Sequence, residues 1–319
     1  MKAERYPRDY IERPPRELIS IQRNLIHFAA GAFLSPVYFL AAYRFPTRGL
    51  SYHRYCSTVA FRLLLSCNTG LSLFQRYYMF FSPMDSVRYF EFDFAWNRIK
   101  RLKNLNRYLD ISSPRMMPVR VIDTFPDLNA DVLNPDLMDL NTTKSILRSL
   151  RHQSRCKYWS EPIEDANFDE GTFDLITCIS VLEHIPDFMP SLGAIWRFLR
   201  KGGSLILTFP CAATAVDQFR NFNEYNLVER NEAGRFFFQH FIDQKMIDEQ
   251  IFPITGQPNS CKIYGEETPG FFSSIVNVKM KTTLYPFWKE PYIMGRNYVS
   301  FSSISQLPGE GILCMEFVK

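Results

Sequence analysis

Two apolar runs of strand length flank a helical pattern between Phe173 and Pro210 (FDLITCISVLEHIPDFMPSLGAIWRFLRKGGSLILTFP), and this stretch restricts the possible folds more than any other. Phe173 to Val181 and Ser204 to Phe209 are β-rich, and the interval between them is long enough to cross over a sheet. Within it Leu192, Ile195, Trp196 and Leu199 keep helical spacing, Arg197, Arg200 and Lys201 cluster in the last turn, and Gly202-Gly203 ends the helix. The expected unit is βαβ, with parallel neighbouring strands and Leu182-Glu183-His184 at the carboxyl end of the first. In an open parallel sheet, ligands bind at that edge.

The residues upstream repeat the alternation. Asp85 to Asn106 reads as a helix, Arg107 to Ile111 as a first strand, and Ser112-Ser113-Pro114 as the turn into a helix over 115–125. Asn129 to Leu133 follows as a second strand, Leu137 to Leu150 as a helix, and Arg155 to Ser160 as a third strand leading into the acidic loop Glu161 to Asp165. The fold class expected is α/β: a Rossmann-like doubly wound sheet of about seven strands. Residues 212–240 and 251–308 read as a lid or insertions, with a helix around Phe241 to Glu249 and a closing strand within Gly309 to Lys319. Ile275 to Thr283 fits strand and helix equally. The expected organisation is a helical, basic extension over 1–84 and a Rossmann domain over 85–319.

Charge is uneven along the chain. Residues 44–107 carry eleven Lys or Arg against Asp85, Glu91 and Asp93, whereas residues 108–319 are net acidic. Such a basic third suits phosphates of lipid head groups or nucleic acid, or is simply a solvated face. Leu25 to Tyr43 has no formal charge, but Gly31, Pro36 and His27 interrupt it; a buried helix pair, a lipid-facing helix and a membrane span are the alternatives, in that order. Thr58 to Phe74, which contains Arg62 and Asn68, reads as a core helix. The seven cysteines are scattered and never form a CxxC pair, so the expected setting is a reducing cytoplasm, possible contact with a membrane surface aside, and no zinc site is expected.

The residues Phe173, Asp174, Ile176 and Val181 to Asp187 (VLEHIPD), with Leu199 to Gly203 and Leu205 to Pro210, resemble the class I S-adenosylmethionine-dependent methyltransferases, in the branch whose fourth strand reads FDxIxxxxVLEHIPD. The preceding NFDEGTFD is similar to that family's PFPDGSFD. The resemblance implies S-adenosylmethionine as cofactor. It places Asp110, Ser112 and Ser113 in the first turn, Asn134 or Asp136 on the ribose, Glu161, Ile163 and Glu164 around the adenine, and Ile179 at the fourth strand's end. One departure stands out. The family's first turn is rich in glycine, whereas Leu109-Asp-Ile-Ser-Ser-Pro114 has none.

Methyl transfer to a hydroxyl needs alignment and removal of a proton. Glu183 and His184 stand at the appropriate strand end, and His184 has an ordinary pKa near 6.5. His240, in the segment where the family builds its acceptor lid beside Glu224, Tyr225 and Phe236 to Phe238, is a second candidate base; packing among aromatics is its alternative. Some quinone-pathway relatives carry a further acid three residues before the Glu, where this chain has Ser180, so no metal is expected. The aromatic content of the lid and of Tyr285 to Tyr292 points to an apolar, planar or lipid-like small-molecule acceptor. The expected function is methyl transfer to an O or N of a lipid, glycolipid sugar or natural product. The alternatives are an inactive methyltransferase-like scaffold and, ranked last for want of a base-binding tetrapeptide, a nucleic-acid methyltransferase.

Overall fold

The computed structural model describes residues 49–64, 87–221, 229–271 and 297–319, Asn223, and isolated positions within 29–37 and 71–80. Helix α1 (Leu50–Leu64) and helix α2 (Arg88–Ile99) precede the sheet. Then come β1 (Arg107–Ile111), α3 (Met116–Thr124), β2 (Asn129–Leu133), α4 (Leu137–Ser149), β3 (Cys156–Trp159), β4 (Phe173–Ile179), α5 (Met189–Phe198) and β5 (Leu199–Cys211). A two-stranded sheet of β6 (Val216–Arg220) and β7 (Phe236–Phe241) follows. A helix with α-helical ends at Gln244–Met246 and Phe252–Thr255 and a π-helical middle at Ile247–Ile251, together α6, leads to β8 (Ser260–Glu266). The chain closes with β9 (Tyr298–Phe301) and β10 (Gly311–Val318).

The main sheet has eight strands in the order β3-β2-β1-β4-β5-β10-β8-β9. β3, β2, β1, β4 and β5 are parallel, β10 runs antiparallel between β5 and β8, and β9 is antiparallel to β8. From β1 the chain winds outward to β3 and then resumes on the other side with β4, so the strand order reverses between β1 and β4. Loops at the carboxyl ends of these two strands diverge and open a crevice. Every residue of β4 is buried, as expected for a strand covered on both faces. Two apolar cores do the covering, one holding α1, α2 and α3 and the other holding α5 and α6.

Several expected boundaries move. The helix expected over 58–74 is α1, which starts earlier because Gly49, at φ +71°, turns the chain so tightly against Tyr89 that a Cβ there would lie 2.3 Å from its carbonyl oxygen. The helix expected over 85–106 ends at Ile99. Arg200, Lys201 and Gly202 belong to the irregular start of β5 instead of to the last turn of α5: Arg200 turns back to Asp174, and Gly202, at φ +74°, gives its N–H to the carbonyl of Lys319. Phe241 ends a strand, and the helix beyond it begins at Gln244. The expected lid over 212–240 contains the β6–β7 pair. The expectations for 25–43, Glu224, Tyr225, 275–283 and 285–292 fall wholly or mostly outside the described residues.

Candidate functional site

The turn after β1 keeps a glycine-like path without glycine. Ser112 lies at φ +46°, a left-handed conformation that an L-residue enters at a cost. Two bonds hold it there: its N–H donates to the carbonyl of Leu133 at 2.8 Å and its hydroxyl to the same oxygen at 3.3 Å. Ser113 is buried and its hydroxyl accepts from the N–H of Ile179 at 3.2 Å, so the turn is tied to the end of β4. Asp110 faces inward. Its Oδ1 accepts from Thr177 Oγ1 at 2.7 Å and from the Tyr108 hydroxyl at 3.1 Å, and burial pushes the carboxyl up to about 7 against those stabilising bonds.

At the end of β2, Asn134 and Asp136 build the entrance to α4. The side-chain oxygen of Asn134 accepts from the N–H of Asp136, its amide donates to Asp139, and Asp136 Oδ1 caps the helix by accepting from the N–H groups of Met138 and Asp139. Arg115, from the turn after β1, pairs with the same Asp139 and bridges the two loops. In the loop after β3, Ile163 is buried, Glu161 is partly exposed, and Glu164 accepts from the Ser191 hydroxyl of α5. The expected cofactor residues therefore line one sheet edge, and Asp110, Asp136 and Glu164 each already hold a structural bond.

The end of β4 carries the chemistry-bearing groups. Ser180, at φ +49°, redirects the chain into a single 3-10 turn, Leu182–His184. That turn sends Glu183 inward, where it is 2% exposed and its Oε2 has no hydrogen-bond partner among the described residues. Burial pushes Glu183 up to about 8, opposed by the Arg88 cation. His184 places Nδ1 2.8 Å from the carbonyl of Phe238, which requires Nδ1 to donate, and its Nε2 lies 3.7 Å from Glu183 Oε1. Burial lowers His184 to about 4, the Phe238 carbonyl opposing and Arg88, Arg220 and His240 adding to the effect. Burial thus favours the neutral form of each residue.

His240 is arranged differently from the base expected. Its Nδ1 lies 2.7 Å from Asp217 on the paired strand, and its Nε2 lies 3.2 Å from the carbonyl of Ile185 and 3.1 Å from that of Pro186. Both nitrogens are thus engaged by oxygens of the protein itself. The residue clamps the β6–β7 pair onto the turn after β4, and with Phe188, Met189, Asp217, Met246 and Gln250 it lines a cavity of about 620 Å³.

Sequence reasoning missed Glu91, Arg88, Thr208 and Arg220. Glu91 and Arg88 come from α2, and the available signal was an acid set in the aromatic run Tyr89-Phe-Glu-Phe-Asp-Phe94. Among the described residues no group of three His, Cys, Asp or Glu could hold a metal ion.

The family described as "Methyltransferase domain" matches residues 121–207. The ubiquinone biosynthesis O-methyltransferase of Xanthomonas oryzae pv. oryzae is 29% identical over 114 residues, 34% of this chain and 48% of that protein. The protein of the same name from Xanthomonas campestris pv. campestris is 33% identical over 82 residues, 25% of this chain and 34% of its own. The chain thus spans about half the length of the curated relatives it matches, or less. Among solved structures, the MccD protein superposes with a TM-score of 0.46 at 12% identity, covering 72% of this chain and 96% of its own. The geranyl diphosphate C-methyltransferase of Streptomyces coelicolor A3(2) superposes with a TM-score of 0.43 at 10% identity, covering 71% and 74%.

Proposed function

We propose that this chain, which belongs to the class I S-adenosylmethionine-dependent methyltransferases, transfers a methyl group from S-adenosylmethionine to an oxygen or nitrogen of a small molecule. The observation that carries the reading is the backbone of Ser112: at φ +46° the first turn takes a left-handed path of the kind that glycine enters freely, without a glycine. The cofactor supplies the electrophilic methyl group. The residues that would hold it are Ser112 and Ser113 of that turn, Asn134 and Asp136 after β2, Glu161, Ile163 and Glu164 after β3, and Ile179. Asp110 supports the turn from below by joining β1 to β4 through Thr177.

On the acceptor side Glu183 and His184 are the catalytic candidates. The Oε2 of Glu183, without a hydrogen-bond partner among the described residues, is an acceptor or donor for an incoming group, and His184, whose Nδ1 is held by the Phe238 carbonyl, stands beside it. Aromatic side chains flank them, Phe238 lying 5.2 Å from the His184 ring, which suits an apolar or planar acceptor. A surface-bound form is a further part of the proposal: Phe33, Val37, Phe61 and Leu64 are exposed apolar residues in the extension.

Calorimetric titration of the full chain with S-adenosylmethionine tests the reading. Binding in the wild type and its loss in Ser112→Val are the expected results, because a β-branched side chain resists positive φ. No heat at high cofactor concentration would leave a scaffold without activity as the function.

A further inference from the structure

The carboxylate most deeply set at this edge lies ahead of the matched residues. Glu91, on α2, is fully buried. Its Oε1 accepts from the Ser180 hydroxyl at 2.5 Å and from the Thr208 hydroxyl at 2.6 Å, while Oε2 holds the Arg88 guanidinium at 2.7 Å. Thr208 Oγ1 in turn receives the N–H of Ser180 at 3.0 Å. One side chain of α2 therefore joins the carboxyl ends of β4 and β5. A buried carboxylate without partners would be costly, and this one has three. The same bonds account for the positive φ of Ser180, since a strained backbone persists only where its surroundings over-determine it.

Ser180 starts the turn that aims Glu183 inward, so whatever holds Ser180 also aims Glu183. The charged and titratable groups around the Glu183–His184 pair are Arg88 and Glu91 on α2, Cys178 on β4, Arg220 on β6 and His240 on β7. Cys178 meets the backbone of Leu182 and His240 the carbonyls of Ile185 and Pro186, whereas Arg88 and Glu91 are joined to each other and reach the start of the turn through Ser180. We propose that Glu91 and Arg88 are positioning residues of the active site, through which helix α2 orients Glu183 and governs whether it presents a carboxyl or a carboxylate to the acceptor. The proposal rests on the assignment of this edge as the acceptor site.

Opposite charges on one helix make opposite predictions. Removing the negative Glu91 favours ionised Glu183, and removing the positive Arg88 disfavours it. The test is a carboxyl NMR titration of the full chain labelled with 13C-glutamate, the Glu183 resonance being identified by its loss in Glu183→Gln. In Glu91→Gln, whose amide oxygen still accepts from Ser180 and Thr208, the Glu183 midpoint is expected to fall by about one pH unit. In Arg88→Met it is expected to rise by a similar amount, and Arg88→Lys is expected to restore it. A loosened site would rehydrate Glu183 and lower the midpoint in both variants. Shifts of the same sign, or no shift in either, would therefore overturn the proposal; where Glu91→Gln does not fold, the Arg88 pair decides alone. Titration of the same samples with S-adenosylhomocysteine separates the two levels: absent binding in the wild type refutes the methyltransferase reading, while the Glu183 midpoints still decide the role of Glu91 and Arg88.

Discussion

Ser112 occupies a conformation that costs an L-residue about 1–2 kcal/mol and recovers part of it through its bond to the Leu133 carbonyl. Ser112→Gly is expected to raise stability by up to about 1 kcal/mol in urea unfolding and to leave cofactor affinity equal or tighter. A loss of affinity would mean that the hydroxyl itself touches the cofactor. Buried titratable side chains predict the pH dependence of the fold. Asp110, Glu183 and Glu310 are raised by burial to about 7, 8 and 8, above the values of the unfolded chain. The folded state then binds more protons than the unfolded state from about pH 4 to 8, so stability falls as pH rises through that window. His53 and His184 are lowered by burial from 6.5 to about 4, so their neutral forms are favoured in the fold and stability is lost as pH falls from 6.5 toward 4. Between about pH 4.5 and 6.5 the three raised acids outweigh the two lowered histidines, so the net slope is still downward and maximal stability is expected near pH 4, below which the lowered Asp123 and Asp174 lose their contribution. Glu183→Gln should flatten the alkaline fall, as melting temperatures across the range will show; an unchanged slope would contradict the raised Glu183.

At the scale of elements, the first turn of α4 carries two assignments for one carboxylate. Asp136 caps the helix through Oδ1, and truncation to Ala should cost about 1 kcal/mol of stability. Asn caps nearly as well, so Asp136→Asn separates the roles: melting is expected to hold while S-adenosylmethionine affinity falls by about 1–3 kcal/mol, the scale of a hydrogen bond to a charged group. Unchanged affinity would leave Asp136 as a cap alone. The FD pair that opens β4 also divides by role. Phe173 is core, while Asp174 receives the N–H groups of Asn106 and Arg107 and pairs with Arg200, fixing the entry of β1 at the edge opposite the site.

Across the whole molecule, the extension is built into the domain. Arg120 of α3 lies 4.0 Å from the ring centre of Trp96, 4.4 Å from that of Tyr52 and 5.0 Å from that of Tyr55, and the Tyr52 hydroxyl bonds the carbonyl of Met116. Arg120→Ala is expected to cost about 1–2 kcal/mol, since a desolvated cation and its stacked rings separate. Deletion of residues 1–84, which the charge pattern alone would permit, removes α1 from this arrangement and should lower the melting temperature. Deletion of 1–48 leaves α1 in place and is the form for liposome flotation. Equal flotation of that form and the full chain would remove residues 1–48 from any membrane contact. Among the described residues no helix is long and apolar enough to span a bilayer.

The sequence by itself determined the alternation of strands and helices from Arg107 to Pro210 and the edge where Glu183 and His184 stand, because apolar periodicity and a crossover of sufficient length leave the parallel sheet few other forms. It also marked the missing glycines as the point in question. Only the tertiary structure decided what those positions do. The φ of Ser112, the engagement of both His240 nitrogens, the insertion of β10 between β5 and β8, and the arrival of Glu91 beneath Ser180 all depend on partners distant in the chain, and local pattern carries no record of such partners.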